Sequence, residues 1–249
     1  MHDGSASGGF MSHLVELRAR LLKATAAVVV LFAGFAIFAD RLYTRIAQPM
    51  LDALPAGARL IATDPLTPFS TPLRLAFYLS LMAAAPVLLY QVWAFVAPGL
   101  YRREKRIAAP LLLSSILLFY AGCAFAYFVL LPVMFKFLAA TAPAGVAMMP
   151  DIARYLDFVG VIALASGVSF EVPVAIIILV LLGWVTPQRL AAARGYAIIA
   201  IFAIAMVITP GDGLSMVMLA IPMCLLYEAG LLAARLVAPA APASARLRD

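Results

Sequence analysis

Histidine and cysteine are nearly missing from this 249-residue chain, and charged side chains make up only 12% of it. His2 and His13 are too few for a histidine-rich metal site. Cys123 and Cys224 each stand inside an apolar run, which offers neither a disulfide framework nor a C-x-x-C metal spacing, so they leave the redox compartment unread. No glycine-rich phosphate loop and no G-x-S-x-G turn occurs. The pattern therefore points to no enzyme, no catalytic residue, no metal and no cofactor. Net charge is +6, but the basic residues lie scattered at the ends of apolar runs instead of clustering with aromatics, which argues against nucleic acid as a partner.

What is present is apolar. Hydrophobic residues make up 65% of the chain and mean hydropathy is +1.05, well outside the range of soluble domains. A membrane-spanning helix needs about 20 mostly apolar residues to cross roughly 30 Å of hydrocarbon. Six stretches qualify in turn: Leu22 to Ala39, Leu75 to Val96, Ala109 to Leu131, Phe158 to Leu182, Gly195 to Ile208 and Leu214 to Leu236. The expected fold is an all-α polytopic membrane protein with six transmembrane helices, the bilayer being its solvent. The first run has no A-x-A-like cleavage site and is an anchor that stays.

Lysine and arginine sort by side. Twelve flank the ends shared by the two termini, including Arg18, Arg20, Lys23, Arg102, Arg103, Lys105, Arg106, Arg189 and Arg194, and six lie on the other side. The positive-inside bias then puts both termini in the cytoplasm. Residues 1–11 and 237–249 are expected to be disordered tails around a membrane domain of residues 12–236, because neither tail buries enough surface to fold. Loops one and three, both on the outer side, carry Pro49, Pro55, Pro65, Pro68 and Pro72, and Pro132, Pro143 and Pro150, which suits stiff caps. No internal repeat of the kind found in many transporters is visible.

Three acids stand out. In S-H-L-V-E-L-R-A-R, from Ser12 to Arg20, leucines at 14, 17 and 21 form an apolar stripe beside His13, Glu16 and Arg20, the pattern of a short amphipathic helix at the membrane surface. Glu16 has a bland alternative as an i,i+4 surface pair with Arg20, worth about 0.3 to 0.5 kcal/mol. Glu104 is the lone acid among four bases in Y-R-R-E-K-R, from Tyr101 to Arg106, and a solvated loop ion pair is its bland alternative. Two scarce carboxylates on one side would suit a dibasic ligand. Glu171 lies inside the fourth run, in S-F-E-V-P, where an acid near the bilayer centre costs about 2.5 to 3.5 kcal/mol and should face protein or water. Pro173 two residues on should kink the helix and open a polar notch beside it; a purely structural hydrogen bond is the alternative. The fifth run has about 14 apolar residues, roughly 21 Å, and the sixth reaches Glu228 after a similar distance, which hints at a thinned membrane face.

Five segments in order, SHLVELRARL (12–21), ATDPLTPFSTPLRL (62–75), APVLLYQVWAFVAPGLYRREKR (85–106), FYAGCAFAYFVLLP (119–132) and GVSFEVPVAI (167–176), resemble the TatC family, the multi-span subunit of the twin-arginine translocase, over nearly the whole chain. The resemblance implies a cupped six-helix receptor that binds twin-arginine signal peptides at its cytoplasmic face. It implies single-span TatA- and TatB-type partners, several copies per complex, and transport of folded proteins driven by the proton motive force. It also places signal recognition on Glu16 and Glu104, with Arg18 in the same motif, and ties Phe95 and Pro49 to function; Glu171, from its place inside the fourth run, and Asp212 are further candidates for function or partner contact. The chain departs from many relatives in having T-P-G-D (Thr209 to Asp212) where T-P-P-D is common, Met216 in place of a polar residue, and Pro68 in place of glutamate. These bear on partner contacts along the fifth and sixth spans. An ion-coupled secondary transporter with Glu171 and Glu228 as proton sites is the competing reading.

Overall fold

The computed structural model describes residues 4–45, 61–96, 105–141, 151–209 and 213–237, with side chains except at 4–13, 96, 105–108 and 138–141. Among the described residues the elements are helices, apart from one isolated bridge between Ile61 and Asp151. Five helical spans are long and apolar enough to cross a membrane, and a sixth apolar helix is shorter.

Helix α1 covers Gly4–Ile37. The short surface helix expected over 12–20 is continuous with the first span, since no glycine or proline interrupts the chain from Ser12 to Ala33. The helix also extends back into the stretch expected to be a disordered tail. Lengthening an existing helix gains one hydrogen bond per residue fixed, so residues 4–11 follow from their neighbours at little cost. Of the other expected tail, only Val237 is described, as the last residue of the final helix.

Helix α2 covers Thr67–Val96 and begins a full two turns before the expected Leu75. Pro68, expected in a loop cap, lies in its first turn, where a missing N–H is cheapest and the fixed φ suits a helix; Pro72, also expected there, lies inside the helix and removes the bond to the Pro68 carbonyl. Asp64 prepares this start: its carboxylate accepts from the Leu66 N–H at 2.8 Å and its carbonyl from the Thr67 N–H at 3.0 Å.

The third span joins α3 (Lys105–Phe125), a π turn (Ala126–Leu130) and α4 (Leu131–Thr141). Pro132, also expected in a loop, therefore sits within the helix. Its ring would meet the carbonyl of Phe128 in a regular α-helix, and the chain widens just ahead of it, with the Leu131 N–H donating to Ala126.

The fourth span is broken as its sequence predicts. Helix α5 (Ile152–Ser169) ends at Phe170 and α6 (Val172–Leu181) starts after Glu171, with Pro173 in its first turn. Short α7 (Pro187–Ala192), α8 (Arg194–Ile208) and α9 (Gly213–Val237) complete the chain. At 15 residues α8 spans about 22 Å, short of a full hydrocarbon core.

The broken fourth span is the hub: α5 packs on α2, α3, α8 and α9, while α6 packs mainly on α9. Helix α1 lies at the periphery, with α2 as its main neighbour. The main core joins Leu130, Met134, Val159, Ile162, Ala205, Leu219 and Met223 across the third to sixth spans. In a bilayer such a core gains from close packing instead of escape from water, because lipid tails are as apolar as leucine.

Candidate functional site

Of the acids that could carry function, Glu171 is set by a break between two helices, while Glu16 and Glu228 project from within α1 and α9. Glu171 stands where α5 stops and α6 has not yet begun: its N–H bonds Val168 at 3.0 Å, an i−3 contact, and its carbonyl takes the Ala175 N–H at 2.8 Å. The Glu171 carboxylate Oε2 accepts the Ser115 hydroxyl from α3. Oε1 is buried and has no hydrogen-bond partner among the described residues. Small residues bring the surrounding helices in. A Cβ at Gly122 would stand 2.6 Å from the Ser166 carbonyl oxygen, and one at Gly230 would stand 2.7 Å from Pro173 Cα. The result is a half-buried acid in a tightly packed seam of α3, α6 and α9 with one oxygen left over.

Glu16 sits on α1 near the end of the bundle where α1 begins and α2 ends. Arg20 donates to its Oε1 from Nε at 3.1 Å and from Nη2. The i,i+4 pair offered as the bland alternative is thus present, with side chains 35% and 23% exposed respectively. Arg18 is exposed on the same helix. Phe95, partly buried, lies near the last turn of α2 at the same end, so the structure brings Glu16, Arg18 and Phe95 to one end. Glu104, Pro49 and Asp212 lie outside the described residues.

Glu228, offered as a proton site in the transporter reading, is held in a two-point fork. Arg194 at the start of α8 reaches its Oε1 from Nε at 2.7 Å and its Oε2 from Nη2 at 2.9 Å. Tyr227 beside it donates to the Leu190 carbonyl at 2.8 Å. The Glu228 fork thereby fastens α8 to α9 and the Tyr227 hydroxyl fastens α7 to α9, a clamp on the short fifth span. Among the described residues no three histidine, cysteine or acidic side chains come together to hold a metal.

Two polar clusters at the opposite end were missed by sequence reasoning. Asp151 caps α5 by accepting the Arg154 N–H at 3.0 Å, and it also takes the Thr63 hydroxyl at 2.5 Å and the Thr63 N–H at 3.1 Å. The Thr63 hydroxyl, then the Arg154 N–H, pull its carboxyl down to about 2. The second cluster pairs Arg74 of α2 with Asp157 of α5 at 2.5 Å, and Tyr78 donates to Asp157 at 3.3 Å. Its signal was available: a base and an acid each stand inside a helix that must enter the membrane. Ser115, the partner of Glu171, carried no comparable mark, being one serine among many.

With this geometry in hand, the likeness to known proteins is informative. The family model described as Sec-independent protein translocase protein (TatC) matches residues 12–222. A protein of that description from Azotobacter chroococcum mcd 1 is 50% identical over 228 residues, covering 92% of this chain and 89% of its own length. Its counterpart in Escherichia coli (strain K12) is 50% identical over 225 residues, covering 90% and 87%. Among solved structures, the crystal structure of the twin arginine translocase receptor TatC superposes with a TM-score of 0.82 at 36% identity, covering 90% of this chain and 99% of that one.

Proposed function

The chain belongs to the TatC family of Sec-independent protein translocase proteins, and from this premise we propose that it is the twin-arginine signal-peptide receptor and core subunit of a Tat translocase. It carries folded precursors across the cytoplasmic membrane at the expense of the proton motive force. The observation that carries this is the match over nearly the full length, in sequence and in fold, to a receptor of that description. The basic bias of twelve against six supports a topology with both termini in the cytoplasm.

In this reading Glu16 and Glu104 take the two guanidinium groups of the signal. A guanidinium is always charged and forks onto carboxylate oxygens, so paired carboxylates favour arginine over lysine. The Glu16–Arg20 contact supports the chemistry: Glu16 already engages a guanidinium from its own helix, and an incoming arginine would take over that place. Arg18 and the loop bases 102, 103, 105 and 106 discourage indiscriminate cation binding, while Phe95 offers apolar contact to the signal's hydrophobic stretch. Pro49 takes part through the position it shares with the family.

The spare oxygen of Glu171 is a docking point for a polar group on a partner helix or on the inserted signal peptide. Single-span TatA- and TatB-type subunits are the partners, engaging the fifth and sixth spans near Asp212 in a complex with several copies of this chain. The transporter reading loses one of its two proton sites to the Arg194 fork. Expression in cells deleted for their own receptor tests the proposal. It predicts renewed export of a folded reporter with a twin-arginine signal, abolished by an uncoupler; no export despite normal membrane levels would reject it.

A further inference from the structure

A cavity of about 450 Å³ opens between the first, second and fourth spans, lined by Phe32, Leu73, Arg74, Phe77, Tyr78 and Asp157. We propose that it is a binding site for a zwitterionic phospholipid with a primary-ammonium head group, its phosphate on Arg74, its ammonium on Asp157 and an acyl chain over the aromatic wall.

Depth is the first argument. Helix α2 has 30 residues, about 45 Å, which matches a hydrocarbon core plus both head-group layers. Arg74 lies seven residues from its start and Asp157 five residues from the start of α5, about 10 and 8 Å inward. That is the boundary between head groups and tails, where a phosphate and its ammonium reside.

Charge is the second. The lining holds one cation and one anion and is neutral overall, so it complements a zwitterion and gives no advantage to an anionic lipid. Among the described residues Arg74 spends one of its five N–H donors on Asp157, and its side chain remains 52% exposed. Asp157, 32% exposed, takes one bond from Arg74 and a long one from Tyr78, which leaves lone pairs for an ammonium N–H.

Shape is the third. The wall is built before any ligand arrives. A Cβ at position 160 would stand 2.5 Å from the Tyr78 ring, so Gly160 is what lets that ring lie flat on α5. Phe77 meets Phe32 edge to face at 6.3 Å, joining α1 to α2 along the cavity. An open groove of this size, lined by one ion pair and a run of aromatic rings, suits a head group and acyl chain lying along the protein surface.

The test reconstitutes the full chain in bilayers of equal phosphatidylethanolamine, phosphatidylglycerol and phosphatidylcholine with identical acyl chains. After extraction in mild detergent, the retained lipid is counted by native mass spectrometry. The ethanolamine lipid should be enriched about fivefold over either competitor, the choline lipid losing because its quaternary ammonium has no N–H to donate. Successive N-methylation of the ethanolamine head group should erode the preference stepwise on the unaltered chain, an arm that needs no folded variant. Asp157→Asn should bring the ethanolamine and choline lipids level, and Arg74→Gln should reduce retention of all three. Equal retention of the three lipids by the unaltered chain, or preference for phosphatidylglycerol, would overturn the site.

Discussion

Ser115 on α3 donates its hydroxyl to one carboxylate oxygen of Glu171, across the seam from the break in the fourth span, and the other oxygen is buried with no partner among the described residues. An unsatisfied polar atom at this depth costs about 1 to 3 kcal/mol, more if charged, so its retention argues for a ligand that completes it.

Glu171→Ala should therefore leave precursor capture intact and reduce export to a partial level, because the lost contact belongs to a step after recognition. Glu171→Gln keeps a hydrogen-bonding group and should do less harm; Ser115→Ala should fall between wild type and Glu171→Ala. Precursor crosslinking and export measured side by side separate the cases, since loss of folding lowers both. Normal export by Glu171→Ala would retire the docking role.

At the other site, Glu16→Gln and Glu104→Gln should each weaken binding of a twin-arginine peptide by about tenfold, the low end for a charge-assisted bond at a partly exposed position. Together they should abolish it. Arg20→Gln should act in the opposite direction and tighten binding by about twofold, because a partly exposed i,i+4 pair worth a few tenths of a kcal/mol no longer has to be exchanged. Calorimetry on the purified protein reads all of these. Normal binding by Glu16→Gln would reduce that residue to a helix-surface pair.

Topology has its own check. Single cysteines introduced at 5, 103, 190 and 245 should be shielded from a membrane-impermeant thiol reagent in intact cells, and those at 57 and 145 should react. Labelling at 103 but not at 57 would invert the orientation and remove the cytoplasmic site.

Asp151 predicts an acid dependence. Its folded-state value, about 2, lies below the ordinary 3.8, so the contacts to Thr63 and Arg154 contribute stability above about pH 4 that is lost as pH falls through about 2. Thermal melts in detergent should show wild type losing its advantage over Asp151→Asn across that window. Parallel acid profiles for the two proteins would contradict the assignment.

Much of this was legible beforehand. Apolar length located five full spans and one shorter apolar helix, and Glu171 followed by Pro173 located the break in the fourth span. What escaped were boundaries and partners. Pro68 and Pro132 read as loop markers because a proline's cost depends on whether the carbonyl four residues back needs its N–H, and a helix start or a π turn removes that need; Pro72 read the same way but is carried inside a long helix at the cost of one bond. Ser115 and Thr63 acquire meaning only through acids that lie 56 and 88 residues away. Arg74 and Asp157 were readable one at a time as charges near membrane ends, but their pairing is a property of how α2 lies on α5.

The central claim is that this chain selects two adjacent arginines. Immobilised twin-arginine signal peptide and its twin-lysine counterpart, offered to the purified protein at equal density, test it most directly. The account predicts strong capture by the first and at least about tenfold less by the second, since an ammonium is a point charge that cannot fork onto a carboxylate. Equal capture by both peptides would contradict it.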